Sequence, residues 1–287
     1  GVKWLVGGNG SGTSETALHA SARFMLQDQP PPRRDTPFWI IGDTLEMVME
    51  IGWKEKLYGH GHIPHDQIDW PRVTWYRSTQ GLPLRVPLKP WPGNPDANWM
   101  IEFKSYDQQR ERMQGRAIGG FLFIEQFPFP ILLEVLRGCR EYNFPGSKMC
   151  EFTPVDPILA APIEEMIMED KLPEGWEVFR CNTECALEAG HVSPEWFQEF
   201  FGAVPDEMRM TRMTGEFPTF EGVVYPSFNP LVHCVDGSEI DHPPGVQYRR
   251  SIDWGFGPSN AFVCLFTYKN GIGQWHIFDE YFSTDQN

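Results

Sequence analysis

The sequence predicts an α/β fold, in which a mainly parallel sheet covered on both faces by helices leads into a smaller unit made of strands. Three observations carry this expectation. Apolar strand-like runs alternate with helical patterns over roughly the first 215 residues. A glycine-rich turn, GGNGSGTSE at Gly7 to Glu15, separates the first of these strands from the first helix. From Tyr248 onward, three strand-like runs follow one another without a helical pattern between them.

Each element has its own signal. Lys3 to Val6 is a short apolar strand, and Ser14 to Gln27 places Ala17, Ala20, Phe24 and Met25 at helical spacing. QPPPRRD is a turn, PFWIIGD a second buried strand, and Thr44 to Tyr58 a helix. Residues 59–97, rich in Gly, Pro, His and Trp, form a long insertion or irregular hairpin. NWMIEFKS is the next strand, followed by a polar helix near Asp107 to Met113 and the strongly apolar strand IGGFLFIEQ. A helix from Pro130 to Glu141, the strand SKMCEFTP, a helix at Ile163 to Glu169, the strand WEVFRCN and two short helices complete the region. The turn-rich stretch TGEFPTFEGVVYPSFNP then marks a change of character. The expected organisation is a first domain at 1–215, a linker at 216–245 and an incomplete second domain at 246–287.

Composition fits a globular protein of this size. Of 287 residues 41% are hydrophobic, including 21 Phe and 11 Trp, enough for a sizeable core. No apolar run reaches the roughly 20 residues that cross a bilayer, and GVKWLVGG has neither the basic stretch nor the cleavage site of a signal peptide. A soluble, intracellular protein is expected. Six cysteines form no CxxC pair, so reduced thiols are expected, and the CxxxC at Cys181 and Cys185 is incidental. The net charge of −15 argues against a protein coated in nucleic acid, without excluding a local DNA track. Arg72, Arg77, Arg85 and Lys89, in a stretch without acids, read as a solvated loop.

The chemistry begins at the glycine turn. Gly7, Gly8, Asn9, Gly10, Ser11, Gly12, Thr13 and Ser14 match the phosphate-loop pattern GxxxxGK[ST] at every defining position except the lysine. Such a loop points backbone N–H groups and a helix N-terminus at phosphate oxygens, and Ser14 is placed to hold Mg²⁺. Thr13 stands where a lysine would reach the β/γ-phosphates, and Arg33, Arg34 or Arg116 are basic residues that could replace it. FLFIEQFP is a buried strand ending in an acid. Glu125 takes the metal role with Gln126 in the base position, or, shifted by one, Glu125 is the base. In either register one carboxylate of a pair is missing. Thr153, in EFTPVDP, is a hydroxyl at a strand tip, fitting either a γ-phosphate sensor or a plain strand terminator. Asp253, in SIDWGFGPSNAF, sits mid-strand where a two-metal nuclease of the ribonuclease H type holds Mg²⁺ or Mn²⁺, with Asp279 and Glu280 as further candidates. His60, His62 and His65 in GHGHIPH lack helical spacing and a Cys or Glu partner, so a solvated loop is expected.

In order and spacing, KWLVGGNGSGTSE, IEFKSYDQQRERMQGRAIGGFLFIEQFP, EFTPVDP, TGEFPTFEGVVYPSFNP and IDWGFGPSNAF resemble the large terminase subunit of tailed bacteriophages. The resemblance implies a P-loop ATPase domain, a linker and a ribonuclease H-like nuclease domain. It implies a motor that hydrolyses ATP with Mg²⁺, drives double-stranded DNA into the capsid and cuts the concatemer. Implied partners are the portal protein, the small terminase subunit and further copies in a ring, in the host cytoplasm and transiently on the procapsid. Gly7 to Ser14 would then be the nucleotide loop, Glu125 or Gln126 the second acidic motif, Thr153 the coupling motif, and Asp253 the first nuclease carboxylate. The family's remaining nuclease carboxylates lie beyond Asn287, which implies a longer protein. A hydrolysis-deficient scaffold of the same family and a phosphate-loop helicase are the alternatives.

Overall fold

The computed structural model describes residues 1–106, 116–139, 146–217, 247–253, 262–269 and 275–283. The polar helix expected near Asp107 and nearly all of the linker lie outside the described residues. The chain divides into two compact units, Gly1–Pro226 and Ser227–Asn287. Among the described residues, no helix is long and apolar enough to cross a membrane.

The first unit is built on an eight-stranded sheet with spatial order β3-β4-β5-β2-β6-β7-β1-β8. The strands are β1 (Lys3–Gly7), β2 (Thr36–Gly42), β3 (Thr74–Arg77), β4 (Leu82–Pro87), β5 (Trp99–Ser105), β6 (Gly120–Ile124), β7 (Lys148–Phe152) and β8 (Glu177–Cys181). The pairings β5-β2, β2-β6, β6-β7, β7-β1 and β1-β8 are all parallel. Strands β3 and β4 add an antiparallel edge, so residues 59–97 contribute ordered structure to the sheet rather than an irregular insertion alone.

Side-chain alternation explains why this sheet is buried on both faces. Along β2, Phe38 and Ile40 enter one apolar cluster with Leu18, Met25, Trp53 and Trp99. The intervening Trp39 and Ile41 enter a second cluster on the opposite face, with Trp4, Phe121, Phe123, Leu132 and Ile163. All seven β2 residues are buried, as a central parallel strand requires.

The helices of the first unit are α1 (Thr13–Arg23), α2 (Leu45–Met47), α3 (Phe129–Gly138), α4 (Pro157–Met168), α5 (Thr183–Glu188), α6 (Pro194–Ala203) and α7 (Asp206–Thr214). Helix α1 continues into a π-helical stretch at Phe24–Asp28, and α2 into one at Val48–Leu57. Helix α4 starts at Pro157, earlier than its apolar pattern suggests, because Asp156 caps it by accepting from the Ile158 and Leu159 amides at 2.9 and 3.2 Å.

The basic stretch between β2 and β5 is neutralised locally. Arg72 donates to Asp35 at 2.5 Å, Arg77 pairs with Glu46, and Arg85 lies 3.2 Å from Glu102. These arginines serve the edge of the sheet.

In the second unit, β9 (Tyr248–Asp253), β10 (Phe262–Lys269) and β11 (Trp275–Ser283) form the expected antiparallel meander, ordered β11-β10-β9. Asp253 is the last residue of β9, opposite Val263.

Candidate nucleotide site at the carboxyl edge of the sheet

Strand β1 is followed in the chain by β2, three positions away, with β6 and β7 between them. Connections that diverge in this way open a crevice at the carboxyl ends of a parallel sheet. The glycine loop fills that position, running from Gly7 at the end of β1 to Thr13 at the start of α1.

Gly12 is the N-cap of α1, with φ of 84° and no side-chain cap. That left-handed conformation is accessible to glycine without a Cβ penalty. It turns the chain into the helix while leaving the amides of Thr13, Ser14 and Glu15 without intrahelical acceptors. The first half of the loop is held by the rest of the unit. The Gly8 amide donates to the Cys181 carbonyl at 3.0 Å and the Ser11 amide to the Gly8 carbonyl at 3.2 Å. The Asn9 amide donates to the Arg212 carbonyl at 2.6 Å, and Arg212 Nη1 donates back to Asn9 Oδ1 at 3.2 Å. Thr183 Oγ1 donates to the Asn9 carbonyl at 2.8 Å. Helices α5 and α7 thus brace the loop from the side, and the α6 residue Trp196 lies against Gly10.

Two carboxylates converge on the loop. Glu125 follows β6 directly and has φ of 67°, a left-handed conformation that costs an ordinary residue about 1 kcal/mol or more. Although Glu125 is exposed, the surrounding protein crowds it enough for desolvation to raise its pKa, against the opposing pull of Lys56 and Arg212.

The second carboxylate, Glu151, lies inside β7, paired on one side with Ile124 and on the other with Leu5. It is 1% exposed, and burial together with the nearby Glu125 charge raises its pKa to about 7. The Ser14 and Thr13 hydroxyls and the Lys56 charge favour its ionised form. Its Oε1 is buried without a hydrogen-bond partner. A carboxylate so placed is short of one positive or donor neighbour.

The structure therefore brings together Gly7 to Ser14, Glu125 and the carboxyl end of β7, where buried Thr153 follows Phe152. Gln126 does different work. Its Nε2 donates to the Asp156 carbonyl at 2.9 Å and its Oε1 accepts from the Asp156 amide at 2.7 Å. Both ends of the amide are thereby spent on the turn before α4. Asp253 belongs to the second unit.

Of the arginines considered as substitutes for the loop lysine, Arg33 and Arg34 precede β2 and Arg116 precedes β6. All three lie toward the amino ends of parallel strands, the opposite edge from the loop. Arg116 is moreover 2.9 Å from Glu102. Among the described residues, the cations whose charge acts on Glu125 are Lys56, from the helix after β2, and Arg212, from α7.

Sequence reasoning missed Glu151, Lys56 and Arg212. A signal existed for Glu151, a lone acid within the apolar strand KMCEF. None existed for Lys56 or Arg212, whose places are set by tertiary packing.

Structural comparison places this geometry. The chain is similar to the large terminase of a thermophilic bacteriophage in complex with ADP, at 16% identity and a TM-score of 0.53, over 98% of this chain and 62% of that one. The same terminase in complex with ATP-γ-S matches at 14% identity and TM-score 0.53, over 99% and 62%. The ATPase domain of the Thermus phage P74-26 large terminase, in a mutant form, matches at 19% identity and TM-score 0.52, over 75% of this chain and 88% of that one. The chain has the fold of a large terminase subunit. It spans about three-fifths of the length of the ADP-bound terminase. No protein-family profile and no curated protein sequence matches it. Within the terminase fold, the eight-stranded unit with its glycine loop corresponds to the ATPase domain.

Proposed function

We propose that the first unit is the ATP-hydrolysing motor of a large terminase subunit, driving double-stranded viral DNA into a capsid. The observation that carries this reading is the convergence of Ser14, Glu125, Glu151, Lys56 and Arg212 on one glycine loop at the carboxyl edge of the sheet. Neighbours of the same fold solved with ADP and ATP-γ-S support it.

The roles follow from the environments. Ser14 and the partner-short Glu151 suit a Mg²⁺ ion, which when bound would neutralise charge developing on the β- and γ-phosphate oxygens. Glu125, exposed at the mouth of the cleft and raised by desolvation, can orient a water and accept its proton. This favours the register with Glu125 as base, and Glu151 supplies the acid that the FLFIEQFP strand lacks. Lys56 and Arg212 provide the positive charge that Thr13 does not. Thr153, one residue beyond Phe152 at the tip of β7, would sense the γ-phosphate.

The whole protein would work as a ring of copies on the portal protein, with the small terminase subunit, in the host cytoplasm and transiently on the procapsid. The second unit would open a ribonuclease H-like nuclease using Mg²⁺ or Mn²⁺, with Asp253 as its first carboxylate and the cut made in concatemeric DNA.

Thr13, 6% exposed beneath the loop, favours a second reading as a hydrolysis-deficient scaffold. DNA-stimulated ATP hydrolysis by the full-length protein separates the two. Turnover in the unmodified protein supports the motor. Turnover only in Thr13→Lys indicates a degraded motor, and none in either supports the scaffold. Asp253→Ala should abolish Mn²⁺-dependent DNA cleavage; unchanged cleavage would remove Asp253 from the nuclease.

A further inference from the structure

The histidine-rich turn after the helix that carries Lys56 does not stand alone in the fold. Although GHGHIPH lacks an acid of its own, Glu15, in the first turn of α1, completes it from across the chain. His62 Nε2 lies 2.6 Å from Glu15 Oε1, and His60 Nδ1 lies 3.0 Å from Glu15 Oε2. Taking one ligand atom from each residue, all three atoms fall within 4.8 Å of one another.

The turn is built to present both rings together. Gly61 has φ of 74°, which reverses the chain between the histidines. The His60 amide donates to the Lys56 carbonyl at 3.0 Å, and the Ile63 amide to the Leu57 carbonyl at 2.7 Å. The fully buried Leu57 and Ile63 anchor both ends of the turn in the core. The backbone of the turn is therefore held by packing, and the two rings by their contacts with Glu15.

A supporting partner is also present. His19, one helical turn after Glu15 on α1, places its Nδ1 3.3 Å from His62 Nδ1. This contact is on the side of the ring away from Glu15. A hydrogen bond there fixes the tautomer and plane of an imidazole whose Nε2 binds a metal.

We propose that Glu15, His60 and His62 bind a divalent transition-metal cation, Zn²⁺ by the chemistry of the donors, with water in the fourth position and His19 orienting His62. Two imidazoles and a carboxylate are the borderline donors that Zn²⁺ prefers, whereas Mg²⁺ takes oxygen donors. Tetrahedral coordination at about 2.0–2.1 Å separates ligand atoms by about 3.3 Å. The two His–Glu contacts reach that spacing with shifts of less than about 1 Å, and the two imidazole nitrogens, within 4.8 Å of each other, close by at most about 1.5 Å.

Burial raises the Glu15 pKa, but the hydrogen bonds and charges of His60 and His62 outweigh it, leaving the carboxyl below its ordinary value. The ion would bolt the end of the helix bearing Lys56 to the first turn of the loop helix. That consequence for Lys56 rests on the nucleotide reading above; the metal site itself does not.

The test uses the untagged chain, stripped with a chelator and titrated with ZnCl₂ by calorimetry, with Co²⁺ as a spectroscopic probe. The expected result is saturable uptake of one Zn²⁺ per chain, a rise in Tm, and a Co²⁺ visible spectrum of a nitrogen–oxygen site. His60→Ala and His62→Ala should each lose uptake and the Co²⁺ spectrum. His19→Ala should keep the stoichiometry with roughly tenfold weaker affinity. His65→Ala, outside the cluster, should bind as the unmodified chain does. Circular dichroism establishes that each variant is folded, and His60, half-exposed, is the safest of them to remove. No saturable uptake by the unmodified chain, undiminished uptake by His60→Ala and His62→Ala, or equal loss in His65→Ala would overturn the proposal.

Discussion

Glu102 and Glu151 are both 1% exposed, both lie within strands of the same sheet, and are treated in opposite ways. Glu102 on β5 is surrounded by compensation. Its Oε2 accepts from Trp39 Nε1 at 3.0 Å and has Lys104 at 3.9 Å. Its Oε1 has no aligned hydrogen bond, yet it lies 2.9 Å from Arg116 and 3.2 Å from Arg85, so its compensation is ionic. Glu151 on β7 has hydroxyls from the loop, a second carboxylate nearby and an orphaned Oε1. A buried acid with matched cations completes a structure. A buried acid short of partners, beside a glycine loop, is what the proposed Mg²⁺ reading would use.

The contrast can be broken at its catalytic end first. Glu125→Gln should lower ATP turnover by a factor on the order of 10³, the usual contribution of a general base, while nucleotide affinity stays within a few-fold. A matched drop in affinity would instead make Glu125 a binding residue. At the structural end, Glu102→Ala leaves Arg85, Arg116 and Lys104 around a site stripped of its counter-charge. Because Arg85 and Arg116 are nearly half exposed and regain water, urea unfolding should show a loss of about 2 kcal/mol from the charged hydrogen bonds given up, whereas a loss below about 0.5 kcal/mol would mean that the cluster is ornamental.

The pH dependence sharpens the comparison next. The folded pKa of Glu151, about 7, lies above the ordinary 4.5. Protonation therefore favours the folded state. The Glu151 contribution is fully present below about pH 4.5 and is lost as pH rises through about 7. Glu151→Gln, neutral throughout, should gain about 3 kcal/mol over the unmodified protein across that window. Mg²⁺, by compensating the ionised carboxylate, should reduce the difference at high pH. A difference that does not change with pH would contradict the assignment.

Much of this architecture was legible in the sequence, and the reasons are local. Phe38 to Ile41 form an uninterrupted apolar run, which only a doubly covered strand accommodates, and Gly12 before Thr13 marks a strand-to-helix turn. The irregular hairpin expected within residues 59–97 is β3 and β4, whose bounds were not legible because Gly, Pro and arginines interrupt their alternation, and pairing with β5 supplies what local pattern does not. The site was half legible. The loop and Glu125 sit in contiguous motifs, but Lys56, Glu151 and Arg212 come from separate elements that only the β6-β7-β1 order and the packing of α7 bring together. The acid beside the histidine turn was not legible for the same reason: Glu15 lies 45 residues upstream of His60.

The central claim is that this phosphate loop works with cations borrowed from outside it. It is tested most directly by Mg²⁺-ATP affinity in Lys56→Ala, measured beside the control Lys54→Ala on the same helix. Loss of one charged hydrogen bond to phosphate predicts a weakening of about 2 kcal/mol, roughly thirtyfold, in Lys56→Ala and none in Lys54→Ala. Equal affinity in the unmodified protein and Lys56→Ala would contradict the account.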